Sequence, residues 1–276
     1  MHRSFSQISI FAILLGLALP LTGQSLTVSL PATTEVQPAP TPPPALAPSV
    51  IILDYHTFLD AHDSGIDFSL DEFASQLDAM KALGYSFVTM EDAIAGRIEG
   101  WANIVITIDD GNHSIYQACK TVLESRGIKP VLFVYPAIIL GHVSYAITQA
   151  RLAELVADGE TVGAHGYHHN PLTDKAWDKD PKDFMVEIKK AGPGIAKVLG
   201  SAPTLFAYPF GVYSKRAEEE LVKAGYLWAF AADDKVRRVN FLDPALDHMA
   251  VPRTIVYRWN RLLVLDKLKR LQEHSN

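Results

Sequence analysis

From Val50 onward, short apolar runs alternate with segments of helical periodicity, and this alternation constrains the fold more than any other feature of the chain. "SVIILDY", "SFVTM", "IVITID", "KPVLFVYP", "TVGAH", "LFAYP", "LWAFAA" and "MAVPRTIVY" each carry a strand. Their apolar residues are nearly continuous, the pattern of strands buried on both faces of a parallel sheet. Helices lie between them. "SLDEFASQLDAMKALGY" opens on Ser69 with Glu72 three residues on, the signature of a capping box. "EDAIAG" is a short helix, and another runs from Ser114 to about Ser125 and stops at Gly127. "TQARLAELVADG" ends on a glycine. Lys182 to Leu199 is helical, with a kink or split expected at Gly192–Pro193–Gly194. "SKRAEEELVKAGY" and "RLLVLDKLKRLQEH" complete the set. Seven or eight such strands predict an α/β fold, a closed or nearly closed (β/α) barrel.

The amino end reads differently. Arg3 precedes a mostly apolar run, Ile8 to Leu21, broken by Pro20 and followed by small and polar residues. A spanning helix needs about 20 apolar residues. The run is shorter, so residues 1–25 are expected to be a secretory signal peptide and the protein to be exported to the periplasm, the cell surface or the medium. No A-x-A cleavage site is evident, which leaves an uncleaved anchor as the alternative. Residues 26–49 form a linker, Pro-rich from 31 onward, that holds residues 50–276, a single catalytic domain, away from the amino terminus. Cys119 is the single cysteine, so no internal disulfide forms and the core is stabilised by apolar burial. Acids outnumber bases, 31 to 25, with no Lys/Arg cluster, which argues against nucleic acid as a partner. Nothing in the sequence fixes an oligomeric state.

In parallel α/β barrels the chemistry sits at the carboxyl ends of the strands. There the sequence places His56, the adjacent acids Asp109 and Asp110, His165, and Tyr208 to Gly211. Two neighbouring carboxylates at the mouth of an apolar core repel each other and are costly to desolvate. A helix cap accounts for one of them and not both. "AHGYHHN" puts His165, His168 and His169 within five residues. Two neutral imidazoles and one carboxylate make a divalent-metal triad with open positions. A metal compensates one acid and leaves the other as a base.

These motifs resemble the polysaccharide deacetylases with a NodB-homology domain. The first family motif, T-F-D-D-G, is similar to Thr107-Ile108-Asp109-Asp110-Gly111. The second, H-[ST]-x-x-H, is matched by His165-Gly166-Tyr167-His168-His169, departing at Gly166. The third resembles Ala207-Tyr208-Pro209-Phe210-Gly211, with Ala207 where arginine is usual. The late family motifs are not seen at the carboxyl end, and "ILDYH" lies at the amino end instead. That order resembles the subgroup acting on poly-N-acetylglucosamine, in which the last motif is moved to the front by circular permutation. The resemblance spans roughly Val50 to Val256 and implies that the α/β fold is a seven-stranded, distorted (β/α) barrel. It implies Asp109 as general base, Asp110, His165 and His169 as metal ligands, His56 as general acid, and the backbone N–H of Phe210 as an oxyanion donor. It implies a metal-dependent hydrolase that removes N-acetyl groups from a glycan and releases acetate, with zinc the default ion and nickel, cobalt or ferrous iron suited to the same ligands. Poly-N-acetylglucosamine, chitin oligomers and peptidoglycan all present that acetamido group.

Other residues carry competing readings. His56 shares a strand face with Asp54, which either orients the ring or forms a structural ion pair with it. Tyr208 is a candidate substrate contact or a packing residue, and His168 is expected to face solvent. With Ala207 in place of the usual arginine, Arg253 is the hypothesised partner that orients Asp109; the alternative is a surface arginine paired with an acid such as Asp247. Trp101, Trp177, Trp228 and Trp259 are sugar platforms or buried aromatics. Two rivals to the deacetylase are a metal hydrolase of another amide or ester and a non-catalytic sugar-binding module with a degenerate site.

Overall fold

A computed structural model describes residues 47–61 and 64–273. The expected signal peptide and the linker up to residue 46 lie outside the described residues. Eight parallel strands follow in chain order: β1 (Val50–Tyr55), β2 (Ser86–Phe87), β3 (Asn103–Ile108), β4 (Val131–Val134), β5 (Thr161–Ala164), β6 (Leu205–Ala207), β7 (Trp228–Asp233) and β8 (Val251–Ile255). Seven of them close a barrel, because β1 pairs with both β3 and β8. The eighth, β2, bonds only to the start of β3, at Asn103 and Ile104, while β4 takes the end of the same edge, at Thr107 and Ile108. The expected seven-stranded, distorted barrel is therefore present, with the distortion centred on β3. Among the described residues no helix is long and apolar enough to cross a membrane.

Alternation along the strands sorts side chains into two cores. Val50, Ile52, Val105, Val131, Phe133, Leu205, Ala207, Phe230 and Val251 fill the barrel. Ile51, Leu53, Tyr55, Ile104, Ile106, Ile108, Leu132, Val134, Phe206 and Tyr208 face the surrounding helices. Phe133 occupies so much of the interior that Gly163 on β5 must lack a side chain: a Cβ there would lie 2.3 Å from the ring. Cys119 is buried, as its place in an amphipathic segment implied.

The helices follow the expected order with local differences. Leu70–Ala82 is capped by Ser69 and Glu72 in a reciprocal capping box. The segment after Ser114 is α-helical only to Gln117, then widens to π-type bonding over Ala118–Leu123 and tightens before Gly127. The break expected at Gly192–Pro193–Gly194 lies earlier, at Lys190, between Pro181–Lys189 and Ala191–Leu199. The proline explains the displacement. It has no N–H for the carbonyl four residues back and would clash with it, so the chain breaks upstream and puts Pro193 in a first turn, where that N–H has no helical partner anyway. Two further helices, Pro136–Leu140 and Asp174–Lys179, are too short to announce themselves by periodicity.

Candidate active site

The inward rows of β1, β3 and β8 end in polar residues. Ile52 leads to Asp54 and His56, Val105 to Thr107 and Asp109, and Val251 to Arg253. Arg253 is wholly buried and bidentate to Asp109, with Nη1 to Oδ1 and Nη2 to Oδ2 both 2.7 Å. Its Nη1 also donates to the Thr107 hydroxyl at 3.0 Å, and that hydroxyl donates to the Leu53 carbonyl. The guanidinium lies over the Phe133 ring at 5.0 Å and is 3.5 Å from Asp54. Burial alone would raise the Asp109 carboxyl, but Arg253 and His165 outweigh it and hold it well below the usual carboxylate range. Asp54 shows the opposite balance: burial dominates, and its pKa is pushed up to about 7.

The backbone turns between the two acids. Asp110 adopts φ 74°, a left-handed value that Asp tolerates better than most residues. Asp109 thus stays inside the barrel while Asp110 swings toward His165 and His169. Asp110 Oδ1 lies 3.6 Å from His165 Nε2 and 3.3 Å from His169 Nε2, and the two Nε2 atoms are 3.1 Å apart. His165 Nδ1 donates to the Ala207 carbonyl at 2.9 Å, which fixes the tautomer with the Nε2 lone pair facing Asp110. Burial and the neighbouring His165 lower the His169 pKa to about 4, so this ring is neutral at pH 7. His169 is held between Tyr135 and Phe210, with ring centroids at 5.2 and 4.6 Å.

This cluster fits a divalent metal. Asp110 Oδ1 is buried without a hydrogen-bond partner, and the three candidate ligand atoms converge. Tetrahedral zinc with bonds of about 2.0–2.1 Å spaces its ligand atoms about 3.3 Å apart. The separations of 3.1, 3.3 and 3.6 Å bracket that value.

His56 follows β1 with Nδ1 3.9 Å from Asp54 Oδ1. Burial lowers its pKa, but Asp54, Asp110 and Asp109 together exceed that effect and the net shift is upward. Phe210 takes φ 61° and exposes its ring beside His169. Tyr208 differs from the expected substrate contact. It has no exposed surface, stacks on Tyr213 and donates its hydroxyl to the Met249 carbonyl at 2.8 Å. Its parity explains this, since residue 208 shares a face with Phe206 and points at the helices. Arg253 is likewise no surface arginine. Trp101 and Trp177 pack beneath Arg238 and Arg216, Trp228 stacks on His248, and Trp259, 72% exposed, stacks on Tyr257 just past β8. Thr107 is a site residue for which no role was inferred from the sequence, although its alternation with Asp109 was readable.

The sequence pattern of the family described as "Polysaccharide deacetylase" matches residues 100–229. That span holds both acids, His165, His169 and Phe210, while His56 and Arg253 fall on either side of it. Two Bacillus subtilis (strain 168) proteins are similar: YxkH, 24% identical over 179 residues, and the peptidoglycan-N-acetylmuramic acid deacetylase PdaA, 28% identical over 153. These matches cover 63% and 53% of this chain and only 61% and 54% of the relatives' own lengths. IcaB from Ammonifex degensii has a similar structure, with TM-score 0.67 and 27% identity, over 80% of this chain and 97% of that one. That likeness covers more of the chain than the family pattern, which holds the acids and histidines. By pattern and by barrel, the chain is similar to the polysaccharide deacetylases.

Proposed function

We propose that this protein is an exported, metal-dependent N-deacetylase that releases acetate from an acetylated envelope or extracellular glycan, with poly-N-acetylglucosamine the leading substrate. The observation that carries the reading is the division of the acid pair: Asp109 is held by Arg253, while the unpartnered Oδ1 of Asp110 meets two imidazole nitrogens. The permuted order of the motifs, with His56 ahead of the acids, supports the choice of glycan.

Asp110, His165 and His169 would hold the metal. When bound there, zinc, or nickel, cobalt or ferrous iron in its place, would supply Lewis-acid polarisation of the acetamide carbonyl and a more acidic water. Asp109 accepts the proton of the attacking water. A carboxylate keeps about four lone-pair directions, so two bonds from Arg253 leave room for this. The Phe210 N–H, aimed by its left-handed backbone, donates to the oxygen that gains charge. His56 is kept protonated toward neutral pH by Asp54 and the neighbouring acids, and gives its proton to the departing amine. The nitrogen leaves as the free amino sugar, and the acyl group leaves as acetate.

The test is acetate release from a panel of acetylated glycans, with metal analysis of the same preparation. Acetate with stoichiometric metal supports the proposal. Turnover only on other amides or esters favours the rival hydrolase. Bound metal and bound glycan with no turnover favours the sugar-binding module.

A further inference from the structure

The loop from Gly166 to Asn170 delivers His169 to the site, yet it belongs to no helix or strand. One buried side chain gathers it. Glu187, on the helix Pro181–Lys189, has no exposed surface. Its Oε2 accepts the N–H groups of Tyr167 at 2.8 Å, His168 at 3.0 Å and His169 at 3.1 Å. Its Oε1 accepts from His168 N–H at 3.1 Å and Asn170 Nδ2 at 3.2 Å. Successive backbone N–H groups converging on one anion form a nest, and here the protein supplies the anion itself.

The same carboxylate accounts for Gly166. A Cβ at that position would lie 2.4 Å from Glu187 Oε2, and the residue adopts φ +75°. The serine or threonine of the related motif has no room beside this side chain. His168 and Asp183 also approach Glu187, with His168 Nδ1 at 3.3 Å from Oε1, so the three form a second acid–histidine cluster. Glu187 already accepts five donor contacts, and the side chains of the other two members are each 45% exposed, so the cluster fits a structural brace rather than a second ion site.

We propose that Glu187 is a positioning residue for the metal-binding loop. It holds His169 in its left-handed conformation, φ 71°, so that its Nε2 reaches His165 and Asp110. The inference rests on the metal triad proposed above. Glutamine at position 187 would turn one acceptor oxygen into a donor facing backbone N–H groups, so Glu187→Gln breaks the nest while keeping the shape.

The experiment uses the metal-stripped full chain. Zinc affinity is measured by competition with a chromophoric chelator, and amide hydrogen exchange is followed at residues 167–169 without metal. Glu187→Gln should weaken zinc binding by about 10–100-fold, the usual effect of losing a partner just outside the ligands. It should also deprotect the three amides while the amides of β3 and β8 keep their protection. Gly166→Ala, whose Cβ would press on Oε2, should weaken zinc binding too. Unchanged zinc affinity in Glu187→Gln overturns the proposal. If that variant fails to fold, unchanged affinity in Gly166→Ala overturns it instead. If the wild-type chain takes up no zinc, the metal reading fails separately, and the exchange arm then decides the brace: unprotected wild-type amides at 167–169 overturn it.

Discussion

Asp109 and Asp110 are adjacent in sequence, yet the two halves of the site they head manage negative charge in opposite ways. On the β1–β8 side, a fixed guanidinium contacts both oxygens of Asp109, with Thr107 and the Phe133 ring supporting it. On the β5 side, Asp110 faces two imidazoles, of which His169 is neutral at pH 7. A buried acceptor with no partner costs about 1–3 kcal/mol, and more when charged. Asp109 is thus paired within the fold as it stands, whereas Asp110 Oδ1 has no partner and, on the reading proposed above, would be completed by an exchangeable cation. Like charges can sit side by side when one counter-charge is built into the chain and the other, on the metal reading, would be bound from outside. A single left-handed residue, Asp110, keeps the two arrangements apart.

This division can be broken experimentally, and the largest effect is expected on the metal side. His165→Ala or His169→Ala should lose the metal and nearly all turnover, measured by elemental analysis and acetate release, and a chelator should do the same to the wild type until zinc is restored. Asp109→Asn should keep the metal and lose about 10²–10⁴-fold in turnover, the usual contribution of a general base. If Asp109→Asn emptied the site while His169→Ala stayed fully metallated, the two halves would have to exchange roles. His56→Phe should keep the metal and slow amide hydrolysis by a comparable factor. An activated ester, whose leaving group needs no proton, should suffer much less. Equal losses on both substrates would reduce His56 to a structural partner of Asp54.

Much of this was legible from the sequence because it depended on period and order. The alternation of strands and helices gave the barrel, and the polar residues at strand ends gave the rim. Parity also held more than was first taken from it: counting by twos puts Arg253 with Val251 inside the barrel and Tyr208 with Phe206 outside it. That count favours the packing reading of Tyr208 over the substrate contact. Other features depend on contacts that no spacing encodes. Glu187 lies 18 residues beyond His169 and meets the loop only through the fold. The Lys190 break and the two short helices turn on local sterics rather than on periodicity. Asp54 was seen to share a face with His56, but its pKa of about 7 follows from burial, which only the closed barrel reveals.

The smallest expected effect probes the built-in counter-charge itself. Removing Arg253 outright would strand a buried carboxylate at a cost of about 3–5 kcal/mol, so Arg253→Ala tests little beyond folding. Arg253→Lys keeps the charge but not the planar fork that meets both oxygens of Asp109. The sign of the change follows from Asp109, whose folded pKa lies below its ordinary value. Such a group stabilises the fold above the unfolded carboxylate pKa, and that stability is lost as pH falls through the folded value. Lysine should raise the folded value toward the ordinary one, so stability at neutral pH falls and the difference from wild type narrows in acid. Turnover should follow the same proton. The base works only when ionised, so the acidic limb of the pH–rate profile should move upward, with a loss of roughly tenfold per pKa unit at pH values below the shifted limb. Asp54 also titrates near the site, with a pKa of about 7, and Arg253 lowers it too. Asp54→Asn separates the two contributions: a limb that still moves in Asp54→Asn/Arg253→Lys belongs to Asp109. A rate and pH profile unchanged by Arg253→Lys would mean that one point charge serves as well as the fork, and that the bidentate geometry supports the barrel rather than the base.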